Sequence, residues 1–360
     1  MMIERLREYV AAETPTGDAA ALNAFADRLA SRYAELGATV RREQHPTGDH
    51  LVADFPGRAD EAPLLFLTHH DTVWPRGQLE TAMPWRAENG IIHGPGVFDM
   101  KGGLVVLETA LEQVAGRDHR PLRIVVVADE EIGSPSARAL VTAEAKGVYA
   151  AFGFEPPHPN GDLKTSRWGS TRVRIEVTGR EAHAALDPDS GVSAIDELVD
   201  QLLAVRRLVA AYGNVLCNVG TITGGGRTNV VPGRASADIG FRFMDPQTEE
   251  SVLAAVARLQ PVRDAQLDVQ VLSNRPAWQP SPETDELLAK VAAAGRSIGQ
   301  EIGGAPASGA ADTNLTGWLG IPTLDGLGPV GKGAHAVHEQ VIAATLAERS
   351  ALVAAVITAL

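Results

Sequence analysis

The stretch "FLTHHDTVWP", residues 66–75, places two histidines and an aspartate at the point where an apolar run ends. Residues 63–68 are predicted to form a buried strand, because a short apolar run bounded by turn residues is typical of one. A polar turn at a strand terminus would account for His69, His70 and Asp71 if the stretch stood alone. Two further strands of the first half end in a similar way, and the three together indicate the fold class and the candidate site.

The bulk composition argues against two classes of partner. The chain has 360 residues, a hydrophobic fraction of 44% and a formal net charge of −13. Binding a nucleic-acid backbone needs clustered Lys and Arg, so no nucleic-acid partner is expected. No run reaches the roughly 18 apolar residues of a membrane span, and the N-terminal residues lack a basic-then-apolar leader, so a cytoplasmic location without membrane contact is expected.

Length and cysteine content set two further limits. A chain of this length exceeds what one compact core usually fills, so two domains are expected. The single cysteine, Cys217, permits no intrachain disulfide and no thiolate cluster. Any metal site must therefore use His, Asp and Glu side chains.

The first half of the chain alternates between helical and extended patterns. Helices are predicted at residues 18–36 and 102–114, and strands at 51–55, 63–68, 122–129 and 149–154. The strands are continuous apolar runs separated by helices, which is typical of a mostly parallel sheet with helices on both faces. The predicted fold class is therefore α/β.

A second pattern begins after Gly169. The predicted order is strand, helix, strand, strand, helix, strand, at residues 170–178, 193–213, 214–222, 234–243, 247–260 and 265–272. This βαββαβ order is the ferredoxin-like arrangement. The chain then returns to helix and buried strand and closes with an apolar helix predicted for 339–360. We therefore predict a discontinuous α/β domain, residues 1–169 and 281–360, with an α+β domain inserted at residues 170–280.

Three strands of the predicted parallel sheet end in acidic or imidazole groups. The ends are "THHDTV" (68–73), "VVVADEEIGS" (125–134) and "AAFGFEPP" (150–157). Because the carboxyl ends of such strands open onto one crevice, these groups are expected to converge. Each uncompensated buried carboxylate would cost several kcal/mol, and these segments carry no cluster of Lys or Arg. One or two divalent metals bound through oxygen and imidazole are the predicted compensation.

Two further segments offer candidate ligands. In "GPGVFDMKGGL", residues 94–104, Asp99 lies in a glycine-bounded turn before a helix. By itself such an aspartate is also explained as a helix N-cap. In "GKGAHAVHEQV", residues 331–341, His335 precedes the final helix, where a cap or a surface residue is the alternative explanation.

Five motifs occur in order along nearly the whole chain: His69-x-Asp71, "GxxDMKGG" around Asp99, Glu130-Glu131 followed by "IGS", "FEP" at Glu155 and "GAHAxxE" at His335. Their combination resembles the co-catalytic zinc peptidase family that includes acetylornithine deacetylase, succinyl-diaminopimelate desuccinylase, aminoacylase and carboxypeptidase G. The resemblance implies a catalytic metal-binding domain at residues 1–169 and 281–360 and a lid and dimerisation domain at residues 170–280.

The resemblance also implies two divalent ions. One is assigned to His69, Asp99 and Glu155, and the other to Asp99, Glu131 and His335, so that Asp99 would bridge them. Zinc is expected, and cobalt or manganese would accept the same ligands.

Two carboxylates are expected to serve the reaction without binding metal. Asp71 would bond to the His69 imidazole and fix its tautomer. Glu130 would be the general base toward a hydroxide shared by the two ions and would pass the proton to the departing nitrogen. His70 points to the opposite face of its strand by period-two alternation, so it is expected to pack rather than to bind metal.

The inserted domain contributes candidate residues as well. In this family the histidine of a motif like "TGREAHAAL" reaches the partner's active site, so His183 implies a homodimer; without the resemblance it is a loop histidine. Asn229 and Arg242 resemble the family's substrate-facing pair. Arg275, in "SNRPAW", is suited to bind a free α-carboxylate through two hydrogen bonds.

The hinge into the inserted domain completes the prediction. Lys164-x-Ser166 resembles the positions with which carboxypeptidase G holds a glutamate, although the spacing from Glu155 is slightly longer here. We therefore expect a glutamate-carboxypeptidase-like amide hydrolase acting on a small anionic amide or peptide. The alternatives are an N-acyl amino acid deacylase or desuccinylase, and a non-catalytic metal-binding member of the family.

Overall fold

A computed structural model describes all 360 residues. The chain divides into two compact units. The large unit contains residues Met1–Ser166, Gln279–Ala307 and Ala311–Leu360, and the small unit contains Arg167–Trp278 and Ser308–Ala310.

The helices are α1 (Met2–Ala11), α2 (Ala19–Glu35), α3 (Gly102–Val114), α4 (Arg138–Glu144), α5 (Ala194–Ala210), α6 (Pro246–Val256), α7 (Pro282–Ser297), α8 (Thr313–Trp318) and α9 (Ala343–Ala359). The strands are β1 (Thr39–Glu43), β2 (His50–Phe55), β3 (Leu64–His69), β4 (Arg86–Glu88), β5 (Ile91–His93), β6 (Leu122–Val127), β7 (Ala150–Gly153), β8 (Leu163–Arg167), β9 (Gly169–Thr178), β10 (Ala182–His183), β11 (Val215–Gly224), β12 (Val230–Val231), β13 (Arg234–Phe243), β14 (Gln266–Arg275), β15 (Gly304–Ala307), β16 (Thr323–Leu324), β17 (Gly331–Lys332) and β18 (Gln340–Ile342).

A six-stranded sheet forms the centre of the large unit, with the order β1-β2-β6-β3-β7-β16. Strands β6, β3, β7 and β16 run parallel to one another, whereas β1 and β2 pair antiparallel at one edge. Every residue of β3 is buried, as expected for a strand covered on both faces. The predicted mostly parallel α/β fold is confirmed.

Alternate residues of the central strands enter two separate cores. On β3, Leu64 and Phe66 pack in a core shared with α1, α2, α3, α7 and α9. Leu65 and Leu67 belong to a second core, to which α4 and α8 contribute. Because successive side chains of a strand point to opposite faces, helices cover both faces of this sheet.

The small unit is built on an antiparallel sheet with the order β11-β13-β9-β14. Along the chain its elements run β9, α5, β11, β13, α6 and β14, which is the predicted ferredoxin-like order. Val173, Ile175 and Val177 of β9 are buried in a core to which α5 and α6 contribute. The intervening residues of β9, among them Ser170, lie on the opposite face of the sheet.

The end of the chain differs from the prediction. A single helix was predicted for residues 339–360, but α9 begins only at Ala343. Gln340–Ile342 forms β18 instead and pairs antiparallel with Ile91–His93. The β-branched Val341 and Ile342 favour an extended backbone, and a partner strand brought there by the tertiary fold overrides the helical periodicity. No helix of the chain has the length and apolar character needed to span a bilayer.

Candidate metal centre and active site

Three parallel neighbours, β6, β3 and β7, deliver polar groups to one edge of the central sheet. Strand β3 ends at His69. The turn after β6 holds Glu130 and Glu131, and Glu155 follows the end of β7. The alignment of the strand ends explains why residues far apart in sequence meet here.

Asp99 lies at the centre of this cluster. It occupies a short irregular turn, Val97–Lys101, with non-helical backbone angles, and its side chain makes no cap bond to α3. The N-cap explanation is therefore wrong. One carboxylate oxygen lies 3.2 Å from His69 Nε2, and the other lies 3.3 Å from His335 Nε2. A single carboxylate thus faces both imidazoles, each through a different oxygen.

The remaining contacts extend the cluster on both sides of Asp99. His335 Nε2 lies 2.9 Å from Glu131 Oε2, and His69 Nε2 lies 3.5 Å from Glu155 Oε1. His69 is buried, whereas the side chain of His335 is 54% exposed. The centre is therefore closed on the His69 side and open on the His335 side.

Two groups of three residues have the spacing of metal ligands. The candidate ligand atoms of His69, Glu130 and Glu155 lie within 4.8 Å of one another, and so do those of Asp99, Glu131 and His335. Oxygen and imidazole donors at this spacing fit a divalent transition metal. The first group contains Glu130 where the sequence prediction assigned Asp99.

Asp71 ties two of these segments together. It accepts hydrogen bonds from the backbone N–H groups of Glu130 and Glu131, at 3.1 and 3.2 Å, and from the Thr16 hydroxyl at 2.8 Å. His69 Nδ1 lies 3.0 Å from the backbone carbonyl oxygen of Asp71 and 3.3 Å from Asp71 Oδ1. Asp71 therefore contacts the imidazole that it was predicted to orient, and it also holds the turn that carries the two glutamates.

Proton affinities in the cluster reflect burial and crowding. Burial raises the pKa of Glu155 and of Glu131, and the neighbouring Asp99 charge adds to both shifts. Burial opposes ionisation of Asp99 too, but bonds from His335 and His69 hold its pKa well below the usual range. Bonds to Asp99 and Glu131 raise the pKa of His335 to about 11. Closely spaced carboxylates raise the proton affinity of the neighbouring imidazoles, and the same negative charge favours the binding of cations.

His70 lies away from the cluster. Its Nε2 donates to the Asp49 carbonyl oxygen at 3.1 Å, and its ring stacks on Phe25 with 6.2 Å between centroids. Burial lowers its pKa to about 4, so it is neutral at ordinary pH. These contacts agree with a packing residue.

The hinge residues Lys164 and Ser166 lie on β8 of the large unit. Lys164 exchanges two backbone hydrogen bonds with Asp325, at 2.8 and 3.0 Å. Its side chain is half-buried and Ser166 is buried. The two alternate with Thr165 along the strand, so their side chains share one face.

In the small unit, His183 and Asn229 lie on neighbouring segments. His183 pairs with Val230, and the Ala184 N–H donates to the Asn229 carbonyl oxygen at 3.0 Å. Nδ1 of His183 accepts the N–H groups of Ala185 and Leu186, and the side chain is exposed. Because Nδ1 is occupied, only Nε2 remains for an incoming ligand.

Arg242 and Arg275 flank one serine of the same sheet. Both stand directly opposite Ser170 of β9, one on each neighbouring strand. Arg242 Nη1 donates to the Ser170 hydroxyl. Burial and then the neighbouring charge of Arg275 lower the pKa of Arg242. The two arginines therefore lie at one register position on the face of the sheet opposite the helices, and their positive charges interact.

Sequence reasoning missed three residues that organise the centre. Thr16 bonds to Asp71, and Trp74 Nε1 donates to Glu339 at 2.7 Å. Glu339 also accepts backbone N–H groups from the Asp99 turn. The "GAHAxxE" motif contained Glu339 and was a usable signal, whereas nothing in the local sequence marks Thr16 or Trp74.

A mostly parallel α/β sheet with two groups of histidine and carboxylate side chains at its strand ends is the arrangement of a metal-dependent hydrolase. The sequence pattern described as peptidase family M20/M25/M40 matches residues 65–359. The chain belongs to this family of metallopeptidases and is therefore a hydrolase of peptide or amide bonds.

Individual relatives agree with this placement. The chain is 30% identical over 346 residues to carboxypeptidase G2 from Pseudomonas sp. (strain RS-16), covering 93% of this chain and 83% of the relative. It is 28% identical over 348 residues to a succinyl-diaminopimelate desuccinylase from Alkalilimnicola ehrlichii, covering 88% of each. The predicted family is confirmed; one of these relatives is named a carboxypeptidase and the other a desuccinylase.

Solved structures share the two-domain fold. An M20 family metallo-carboxypeptidase from Sulfolobus solfataricus aligns with a TM-score of 0.76 and 16% identity, covering 99% of this chain and 98% of the other. A tripeptidase from Staphylococcus aureus aligns with a TM-score of 0.78 and 19% identity, covering 99% and 97%. At these identities the likeness concerns the fold alone.

Proposed function

We propose that this chain hydrolyses the amide bond that joins a C-terminal amino acid, glutamate or a similar residue, to an N-acyl or peptidyl group. The observation that carries the proposal is the contact of both imidazoles with one carboxylate, Asp99, beside further glutamates at the strand ends. The 30% identity to a carboxypeptidase supports release of a C-terminal residue.

We assign one divalent ion to His69, Asp99 and Glu155, and a second to Asp99, Glu131 and His335. The contacts of Asp99 with both imidazoles support its role as the shared ligand. Zinc is our choice of metal, because it suits imidazole and carboxylate ligands. Bound there, the ions would lower the pKa of a water molecule and polarise the scissile carbonyl.

Glu130 is assigned as the general base. Its carboxylate is buried, and its backbone N–H is held by Asp71 at 3.1 Å. In this role it removes a proton from the attacking water and delivers that proton to the departing nitrogen, so that its charge is restored at the end of the cycle. The competing assignment makes Glu130 a metal ligand, because a carboxylate oxygen of Glu130 lies within 4.8 Å of the candidate ligand atoms of His69 and Glu155. Metal stoichiometry of Glu130→Gln separates the two roles.

Substrate recognition is assigned to cations and polar groups of both units. Arg242 and Arg275 would bind a carboxylate of the substrate, since paired guanidinium groups suit a planar anion. Lys164 and Ser166 are proposed for the glutamate side chain, and Asn229 for the amide. The chain as a whole has a net charge of −13, which makes these local cations a selective feature.

We also propose that the chain is a cytoplasmic homodimer formed through the small unit. Helix α5 exposes an apolar stripe at four-residue spacing, Ile195, Val199 and Leu203, with 36%, 49% and 46% exposure. Strand β11 lies at the edge of its sheet, where unpaired backbone groups favour pairing with another strand.

In such a dimer His183 would reach the partner's active site and stabilise the oxyanion. Sedimentation of wild type and Leu203→Glu tests this, and a monomeric wild type refutes it.

A deacylase or desuccinylase is the second candidate, because a desuccinylase covers 88% of this chain at 28% identity. It would share the proposed metal ligands and Glu130. Only the groups that contact the ends of the substrate would differ.

A substrate panel on zinc-reconstituted protein distinguishes the two. N-acylated glutamate is compared with N-acetylornithine and N-succinyl-diaminopimelate, before and after treatment with a chelator. The proposal expects glutamate release that the chelator abolishes and added zinc restores. Turnover of the other two substrates alone would select the second candidate, and no turnover with ions bound would leave a non-catalytic metal-binding protein.

A further inference from the structure

We propose that Glu339 is a positioning residue that holds the Asp99 turn in its ligand geometry. It would do so by joining that turn to the segments that carry His69 and His335. This inference rests on the proposed metal site. It concerns a carboxylate that has no assigned part in metal binding or in the reaction.

Glu339 is 1% exposed and accepts four hydrogen bonds. Oε1 accepts the backbone N–H groups of Phe98 and Asp99, at 2.9 and 3.0 Å. Oε2 accepts the Gly96 N–H at 3.0 Å and Trp74 Nε1–H at 2.7 Å. Each oxygen thus has two donors, and one of the four donors is the backbone of the proposed bridging ligand itself.

The four bonds connect three ligand-bearing segments. Trp74 lies five residues after His69, and Glu339 lies four residues after His335. The Asp99 turn has non-helical backbone angles and precedes α3. Its N–H groups at 96, 98 and 99 point to the Glu339 carboxylate, so this side chain replaces the backbone acceptors that a regular helix would supply.

A full carboxylate is needed for this arrangement. All four partners of the Glu339 carboxylate are N–H donors, and their hydrogen bonds stabilise its buried negative charge. A glutamine at the position would keep one oxygen and place an NH2 group against two N–H donors. That repulsion would displace either the Phe98 and Asp99 backbone or the Trp74 and Gly96 side of the network.

The small unit contains a matched control. Glu197 is also fully buried, and it accepts backbone N–H groups from Val262 and Arg263, at 2.9 and 2.8 Å. Glu197 also accepts Gln201 Nε2–H at 2.6 Å and lies 3.6 Å from Arg263 Nη1. Glu197→Gln therefore makes the same chemical change at another buried carboxylate that accepts two backbone N–H groups, within the other unit. Any general cost of burying an amide in place of a carboxylate appears in both variants.

Cobalt titration of chelator-stripped full-length protein is the main experiment. The visible Co2+ spectrum reports coordination, and the titration gives the affinity. Glu339→Gln is expected to weaken Co2+ binding by about 10- to 100-fold, the usual effect of losing a group that orients metal ligands. Hydrogen exchange of the Phe98 and Asp99 amides in the stripped protein is expected to accelerate. Glu197→Gln is expected to keep wild-type affinity, spectrum and exchange at those amides.

A double variant tests the geometry of the contact. Trp74→Phe removes one donor to Oε2 and is expected to weaken Co2+ binding by a few-fold. In Glu339→Gln/Trp74→Phe the amide no longer faces the indole N–H, so affinity is expected to exceed that of Glu339→Gln alone. If Glu339→Gln does not fold, Trp74→Phe carries the test, and unchanged Co2+ affinity in it overturns the inference.

The results separate this inference from the proposed reaction. Wild-type Co2+ affinity and spectrum in folded Glu339→Gln would overturn the positioning role. Wild type that binds two ions but cleaves no amide would overturn the proposed reaction and leave the role of Glu339 to the titration. Wild type that binds no ion would overturn both.

Discussion

Replacement of Asp71 by asparagine is the sharpest test of the site. Asp71 is 1% exposed and has a partner on every side. Oδ1 accepts the Glu130 N–H at 3.1 Å and lies 3.3 Å from His69 Nδ1. Oδ2 accepts hydrogen bonds from the Glu131 N–H at 3.2 Å and from the Thr16 hydroxyl at 2.8 Å. Asparagine has one acceptor oxygen, so one of these two pairs must lose its acceptor whichever way the amide turns.

The expected magnitude follows from the bonds lost. A hydrogen bond to a charged group contributes about 1.5–3 kcal/mol, and each 1.4 kcal/mol corresponds to a factor of ten. One partner in each pair has a second acceptor, because His69 Nδ1 also faces the Asp71 carbonyl oxygen and the Thr16 hydroxyl also faces the Thr72 carbonyl oxygen. The net loss is therefore about one bond, which predicts that kcat/KM falls by about 10- to 100-fold. The loss acts through the orientation of His69 and the Glu130–Glu131 turn, so a fall in metal affinity is expected with it.

The assay measures kcat/KM for glutamate release together with bound metal, in wild type, Asp71→Asn and Thr16→Val. Thr16→Val removes only one of the four partners and is expected to cost less than about tenfold. Asp71→Asn with kcat/KM and metal content within twofold of wild type would refute the reasoning. So would a Thr16→Val loss as large as that of Asp71→Asn.

Three further predictions concern other parts of the chain. Glu130→Gln is expected to lower kcat by about 10²- to 10⁴-fold while two ions remain bound, and loss of one ion would make Glu130 a ligand instead. Arg242→Ala is expected to raise KM for a C-terminal glutamate by about 10- to 100-fold and to change KM little for a neutral amide, as steady-state kinetics would measure. Glu108 is a buried residue of α3, and burial raises its pKa to about 7. This carboxyl is therefore protonated in the fold at acidic pH, and its stabilising contribution is lost as the pH rises through 7. Between pH 5.5 and 8, Glu108→Gln should therefore gain about 2 kcal/mol of unfolding free energy relative to wild type; urea denaturation giving a pH-independent difference would contradict this.

The strand ends were predictable because two local signals combine there. Apolar runs of strand length locate β3, β6 and β7, and a single topological rule places their carboxyl ends together. His69, Glu130 and Glu155 therefore converge without any long-range information. The five ordered motifs added Asp99 and His335 by resemblance to a family, and the structure places both beside His69 or Glu131.

Other features had no local signal strong enough to decide them. An aspartate before a helix is commonly an N-cap, and only the approach of two distant imidazoles gives Asp99 other partners. The residues 340–342 continue a helical pattern, yet Ile91–His93 pairs with them as a strand. Thr16 lies 55 residues from its partner Asp71, a separation at which no periodicity operates.

From the sequence alone came the α/β architecture, the inserted βαββαβ unit and the residue types that meet at the strand ends. These follow from hydrophobic periodicity, which each segment carries within itself. Tertiary structure decided which oxygen of Asp99 faces which imidazole, and that Glu339 holds the Asp99 turn across 240 residues of chain. A hydrogen bond between distant segments depends on where the whole fold brings its donor and acceptor, and the residues next to either group do not encode that position.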